Sequence, residues 1–290
     1  MSRTKWYNNN MNDYEKYKDL GVGFPSLSPE QVEEIKRTSP PEHNDFTVLS
    51  PCFYKKEPEM VKNSKKLLQQ EDVNYITYGD GEPFTNKVYT NLLRLYSKLE
   101  EIEDQFDTVL IMDAKDVLYL GGSTVLMTLS RYRAKTKTSP AVILTTEKEC
   151  YPKGSDIFYI PQVSPNRFLN SGLMIGPTNL IKVMIREMIL KYDLERFEMD
   201  NGSLNHSQIY WHRYFNEGKL KDNLRVDLDN EFFFCMDSCD PYHVLEIINP
   251  LKIRVKETDT FPKFFHFNRC FIDTYKQWFG EFWVEKLGRS

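Results

Sequence analysis

The chain has 290 residues, 40% hydrophobic and 14% aromatic, enough to bury a sizeable core and too much for a disordered polypeptide. Its formal charge of −4 offers no field for general nucleic-acid binding. No apolar run approaches the ~18–20 residues that a membrane-crossing helix requires.

The N-terminus, MSRTKWYNNN, has no apolar h-region, so the expectation is no secretory signal and a cytosolic setting, or a virion or viral factory assembled there. Residues 1–44 read as a polar arm. It contains a helical candidate at 28–38 with Ser28 in capping position, stopped by Pro40 and Pro41. Residues 45–290 read as one folded unit. A strand at 46–53 leads to a helix from Pro58 to about Gln70, and a second strand at 73–79 ends in the turn Gly79-Asp80-Gly81. The segment 86–103 has helical spacing at Val88, Leu92, Leu95, Tyr96, Leu99 and Ile102. A strand at 108–112 follows, then a helix at 123–133 and strands at 141–146 and 156–161. Helices are expected at 178–194 and 203–218. Aromatics between Phe271 and Trp283 again have helical spacing, fitting core closure, a homodimer contact or an acceptor-facing wall. Such alternation predicts an α/β sandwich with a mainly parallel sheet flanked by helices, whose ligands collect at the carboxyl ends of strands.

At that edge of the third strand stand Asp113 and Asp116. Two buried, unpaired carboxylates cost several kcal/mol, so they are either solvated or neutralised. A strand-end turn with solvated aspartates is one reading. A hard divalent cation, which takes oxygen ligands and leaves positions for phosphate and water, is the other. The nucleophile motif of haloacid-dehalogenase phosphatases has one residue between its aspartates, not two, and does not fit. Five scattered cysteines, Cys52, Cys150, Cys235, Cys239 and Cys270, suggest reduced thiols rather than a zinc site or disulfide scaffold.

Beyond the pair the chain runs through VLYLGGS, AVILTTEKECYP, FLNSGLMIG, NHSQIYW and FFHFNR. This order resembles the glycosyltransferase domain of procollagen lysyl hydroxylases. There, D-x-x-D is followed by A-[AE]-x-x-x-W-P, Y-L-N-S-G-x-x-I-G, an acidic run ending in D-D-Q-L-F-Y, and H-G-N-G. The resemblance covers about residues 45–275 and implies a GT-A type, Rossmann-like nucleotide-sugar fold standing alone, since no segment here has room for the hydroxylase half.

It further implies that Asp113, Asp116 and His266 hold Mn²⁺ against the diphosphate of a UDP-sugar, where a divalent ion acts as Lewis acid for the leaving group. Without the resemblance His266, set among phenylalanines, reads as a core histidine. Asn170, Ser171 and Gly172 would lie near the donor sugar, and Ser50 and Cys52 where the family receives uracil and ribose. Glu147 and Tyr151 match the glutamate and tryptophan of the A-[AE]-x-x-x-W-P block. Lys115 would meet the nucleotide phosphates or simply offset the pair.

Two departures stand out. The family's acidic run is here SLNHSQ, so Asn205, His206 and Ser207 precede Gln208 and only Glu198 and Asp200 upstream are acidic. The catalytic candidates become His206, as a base near neutrality, with Ser207, Gln208 and Glu147. H-G-N-G has become HFNR, which brings Asn268 and Arg269 to the donor, the latter as a pyrophosphate clamp. The implied function is hexosyl transfer from UDP-glucose or UDP-galactose to hydroxylysine or galactosyl-hydroxylysine of collagen-like chains. A non-catalytic nucleotide-sugar-binding relative is the alternative. A nucleotidyltransferase would need a glycine-rich loop after the first strand, and SPCFYKK has no glycine.

Overall fold

Apolar runs separated by turn residues become strands and helices in a computed structural model that describes residues 46–54, 57–80, 82, 88–122, 124–153, 166–192, 207–236, 239–249 and 252–268. The elements that position the site are β1 (Phe46–Pro51), α1 (Glu59–Gln70), β2 (Asn74–Tyr78), α2 (Val88–Ile102), β3 (Thr108–Met112), β4 (Val117–Tyr119), α3 (Thr124–Thr136), β5 (Val142–Glu147), β6 (Phe168–Pro177), α4 (Thr178–Lys191), α5 (Ser207–Glu217), β7 (Leu224–Val226), β8 (Phe233–Cys235), β9 (Leu245–Asn249), β10 (Lys252–Val255) and β11 (Phe264–His266). The expected arm, the strand at 156–161, the C-terminal aromatic helix, His206 and Arg269 lie outside the described residues.

The main sheet has the order β2-β1-β3-β6-β5-β7. β1 pairs in parallel with β2 and β3, and β5 with β7, whereas β6 runs antiparallel to both β3 and β5. The mainly parallel sheet is therefore present, with one reversed strand in its middle. Each face is covered, which is why the strands read as continuous apolar runs rather than alternating ones. Leu49, Val109, Ile111, Val142, Leu144 and Met174 face α2, α4 and α5. Their neighbours Val48, Leu110, Met112, Ile143 and Ile175 face the opposite core with α1 and α3.

Helix α4 starts directly after Pro177, whose fixed φ suits a chain turning from strand into helix. It buries Leu180, Ile181, Met184, Ile185 and Met188, one face at helical spacing, against Leu92, Leu95, Tyr96 and Leu99 of α2. Leu99 is fully buried there, and full burial of such a side chain is worth roughly 1.5–3 kcal/mol.

A second, three-stranded sheet has the order β4-β11-β8. β11 lies between an antiparallel β4 and a parallel β8, with His266 opposite Val117 on one side and Cys235 on the other. Phe264 belongs to the core shared with the main sheet, and Phe265 to a separate core under β10. With the strand period of two, His266 shares the Phe264 side, toward the end of β3.

Candidate functional site

Asp113 is the first residue after β3 and Asp116 the last before β4, so the four-residue turn between the two sheets carries both carboxylates. The sheets fix what stands opposite them. Phe267 N–H donates to the Asp116 carbonyl at 2.8 Å, which brings His266 alongside that residue. Asp113 N–H donates to the Gly172 carbonyl at 2.9 Å, which brings β6 against the other. As a result Asp113, Asp116 and His266 each present a ligand atom within 4.8 Å of the others. His266 Nε2 is 3.6 Å from Asp113 Oδ2 and 3.5 Å from Asp116 Oδ2.

Gly172 has a local steric reason to be glycine. A Cβ at that position would fall 2.2 Å from His266 Cε1 and 2.9 Å from Asp113 Oδ2. The space is taken by the ligand set itself. Two carboxylates and an imidazole form a donor set suited to a hard or borderline divalent ion. The carboxylates lie at the rim, 49% and 36% exposed, and the imidazole forms the floor at 4%.

The electrostatics agree with a cluster built around positive charge. Although open on one side, the pair is packed round by protein. That desolvation pushes Asp113 up, partly offset by His266 and reinforced by Asp116. At Asp116 burial acts the same way, but attraction to His266, with help from Lys115, outweighs it and leaves the carboxyl below its usual range. Burial alone would lower His266. Asp116, then Asp113 and Glu147, reverse this and raise it above 6.5.

Behind the floor lies a buried polar network. Glu147, the last residue of β5, is fully buried, and its carboxylate accepts from Asn170 Nδ2 and Asn268 Nδ2, both at 2.9 Å, and from Gln208 Nε2 at 2.6 Å. Asn170 Oδ1 accepts from Gly172 N–H at 2.9 Å and lies 3.0 Å from His266 Nδ1. Gln208 also donates to the Tyr151 carbonyl at 2.6 Å and accepts from Ser171 N–H at 3.2 Å. Four chain segments distant in sequence thus meet on one carboxylate.

The site residues expected from sequence therefore fall into two groups. Asp113, Asp116, His266, Asn170, Gly172, Glu147, Gln208, Asn268 and the Tyr151 carbonyl come together. Ser50 is buried and uses its hydroxyl to bond the Met112 carbonyl at 2.8 Å, tying β1 to the end of β3. Cys52 is buried just past β1 with its N–H on the Tyr78 carbonyl, and Lys115 points into solvent between the aspartates. Ser207 opens α5 and is half-buried. Glu147 and Gln208 sit behind the site rather than on its surface.

Sequence reasoning passed over three residues. His212, one helical turn after Gln208, places Nε2 3.0 Å from the same Tyr151 carbonyl, and the i, i+4 spacing was the available signal. Cys235 lies 3.9 Å from His266 Nδ1 and donates to Asn268 Oδ1 at 2.7 Å. Tyr54 lies close enough for both aspartates to add to the upward push that burial gives its phenol.

No curated protein matches the chain significantly. Among solved structures it is similar to a glycosyltransferase involved in glycosylation of the major capsid of PBCV-1, with 15% identity over 80% of this chain and 98% of that one, at a TM-score of 0.48. The galactosyltransferase LgtC, in complex with donor and acceptor sugar analogues, shares 13% identity over 77% of this chain and 87% of its own, at a TM-score of 0.43. No helix among the described residues is long and apolar enough to cross a membrane. A family model described as the PLOD GT domain matches residues 59–287, from α1 past β11. The chain belongs to this family, the glycosyltransferase domains of lysyl hydroxylases.

Proposed function

We propose that the protein transfers a hexose from UDP-glucose or UDP-galactose to hydroxylysine or galactosyl-hydroxylysine of collagen-like chains, with Mn²⁺ held by Asp113, Asp116 and His266. The observation that carries this reading is the convergence of those three side chains at the carboxyl end of β3, over a glycine that leaves them room. An ion held there would supply positive charge to the departing diphosphate. Everything else in the reading is work for the chain itself. The ends of β1 and β2 receive the nucleoside, with buried Ser50 and Cys52 shaping that end of β1 from beneath. Lys115 and Arg269 meet the phosphates, and Tyr151, Ser171 and Asn268 border the sugar. His206 takes the proton of the acceptor hydroxyl, with Ser207 beside it. Glu147 and Gln208 act from behind, holding β5, β6 and α5 in register at the site.

The test is UDP release from each donor in the presence of Mn²⁺ and a hydroxylysine-containing collagen-like peptide, for wild type and Asp116→Ala. The expected loss in the variant is at least ~100-fold. Undiminished turnover in Asp116→Ala sinks the metal assignment. One observation favours a second reading, a nucleotide-sugar-binding protein without turnover. His206 and Ser207 stand where the family's acidic run ends in two carboxylates, and the glutamine that follows, Gln208, is turned inward to Glu147 and supplies no charge there. Tight Mn²⁺·UDP binding with no UDP release from any hexose donor would establish that reading instead.

A further inference from the structure

We propose that Glu147 sets the tautomer of His266, and so decides which ring nitrogen offers its lone pair to the site. The inference rests on the reading of Asp113, Asp116 and His266 as a metal centre, and it follows from hydrogen-bond polarity alone. An ionised carboxylate only accepts, a backbone N–H only donates, and a carboxamide does one at each end.

Glu147 has three carboxamide contacts, from Asn170, Asn268 and Gln208. One of these amides, Gln208, is oriented by the backbone as well: its oxygen accepts from Ser171 N–H and its nitrogen donates to the Tyr151 carbonyl, so Glu147 receives its N–H. For Asn170 a second constraint gives the same answer. Its other end receives the Gly172 N–H, which only an oxygen can accept. Asn170 Oδ1 is therefore fixed from both sides, and its 3.0 Å contact with His266 Nδ1 must be an N–H donated by the ring. In the neutral imidazole the hydrogen then sits on Nδ1, and Nε2, which lies 3.6 and 3.5 Å from the aspartate oxygens, is left with its lone pair.

Cys235 closes the argument on the remaining side. Its sulfur lies 3.9 Å from Nδ1 and would compete if its S–H pointed there. Asn268, whose nitrogen is also turned to Glu147, presents its oxygen to that thiol at 2.7 Å and takes the hydrogen. One buried side chain thus engages two asparagines and, through them, a thiol and an imidazole. Glu147 is a positioning residue. Partners that orient a metal-ligating histidine typically alter metal affinity by ~10–100-fold when removed.

The experiment uses the full chain with ¹⁵N-labelled histidine, metal-free and alkaline enough for His266 to be neutral, with its ring signals assigned through His266→Gln. Two-bond ¹⁵N–¹H correlations should show a protonated Nδ1 and an unprotonated Nε2. In Glu147→Gln an acceptor oxygen becomes a donor, and the expected result is loss of that preference. A fall of ~10–100-fold in Mn²⁺ affinity, read from the EPR signal of the free ion, should accompany it. Asn170→Ser, which leaves Glu147 in place, should give the same two changes and stands in if Glu147→Gln does not fold. A wild-type ring protonated on Nε2, or either variant keeping both the Nδ1 hydrogen and full affinity, overturns the proposal. Wild type that binds no Mn²⁺ at all overturns the metal reading instead, while the nitrogen signals still decide the tautomer.

Discussion

Gly172→Ala perturbs the floor of the site with a single methyl group. The new Cβ would start 2.2 Å from Cε1 and 2.6 Å from Nδ1 of His266, against 3.4 Å for ordinary contact, so the ring must retreat by about 1.2 Å. It has little freedom to do so. His266 is buried, its backbone is paired on both sides by β4 and β8, and its Nδ1 is engaged by Asn170. The other route, a shift of β6, would break the bond between the Gly172 carbonyl and Asp113 N–H. Inserting a methyl group into packed surroundings of this kind costs about 1–3 kcal/mol, which for a chain of this size lowers the melting temperature by roughly 2–12 °C. The larger effect should fall on the ligand set, because a donor displaced by about an ångström no longer converges with its partners, and the expected loss of Mn²⁺ affinity is ~100-fold. Thermal melting and EPR titration of the metal-free protein measure the two quantities side by side. If Gly172→Ala binds Mn²⁺ as tightly as wild type, the claim that this glycine makes room for the ligands is wrong.

Three further outcomes follow from the same geometry. Metal binding must displace the proton from His266, whose pKa is raised by Asp116, Asp113 and Glu147 against its burial, so Mn²⁺ affinity should be full on the alkaline side of that raised value and fall about tenfold per pH unit below it. The sign for stability is opposite. In metal-free protein the charged imidazole stabilises the fold below 6.5, and this contribution is lost as pH rises through the folded-state pKa, so thermal melts with chelator should weaken in that window and melts with Mn²⁺ should not. Gln208→Leu removes a donor from the buried Glu147 and an acceptor from the half-buried Ser171 N–H. Each group left unsatisfied costs about 1–3 kcal/mol, so denaturant unfolding should show a clear loss. Gln208→Glu, which restores the acceptor for Ser171 N–H but not the N–H given to Glu147 and the Tyr151 carbonyl, should recover only part of it.

Most of the main sheet was legible from sequence because its strands are buried on both faces and its helices on one. The runs at 46–53, 73–79, 108–112 and 141–146 and the helices at 58–70, 86–103, 123–133 and 178–194 all match described elements to within a few residues. β6 was not legible as a strand. Asn170 and Gly172 in FLNSGLMIG are poor strand formers, and they are tolerated because one anchors the buried network and the other yields space to His266. The second sheet was missed for a different reason. Its strands are three residues long, too short for any periodicity to show, and they hold together by pairing across long sequence separations. Asp113, Asp116 and His266 were found because they sit in motifs with recognisable spacing. The hydrogen-bond set around Glu147 has no such spacing, since it exists only once β5, β6, α5 and the segment after β11 have met.

The placement of β11 bears on how the protein comes into being. Asp113 and Asp116 leave the ribosome about 150 residues ahead of His266, and the strand that carries the histidine must insert between two strands already made, β4 and β8. Contacts of such long sequence separation form late, after loop-closure entropy has been overcome. A nascent or truncated chain ending before Phe264 would therefore display two aspartates but no chelating centre. Ability to capture a divalent ion would then mark the moment at which β11 has docked, making metal uptake a report that the two sheets have met rather than an aid to the beginning of folding.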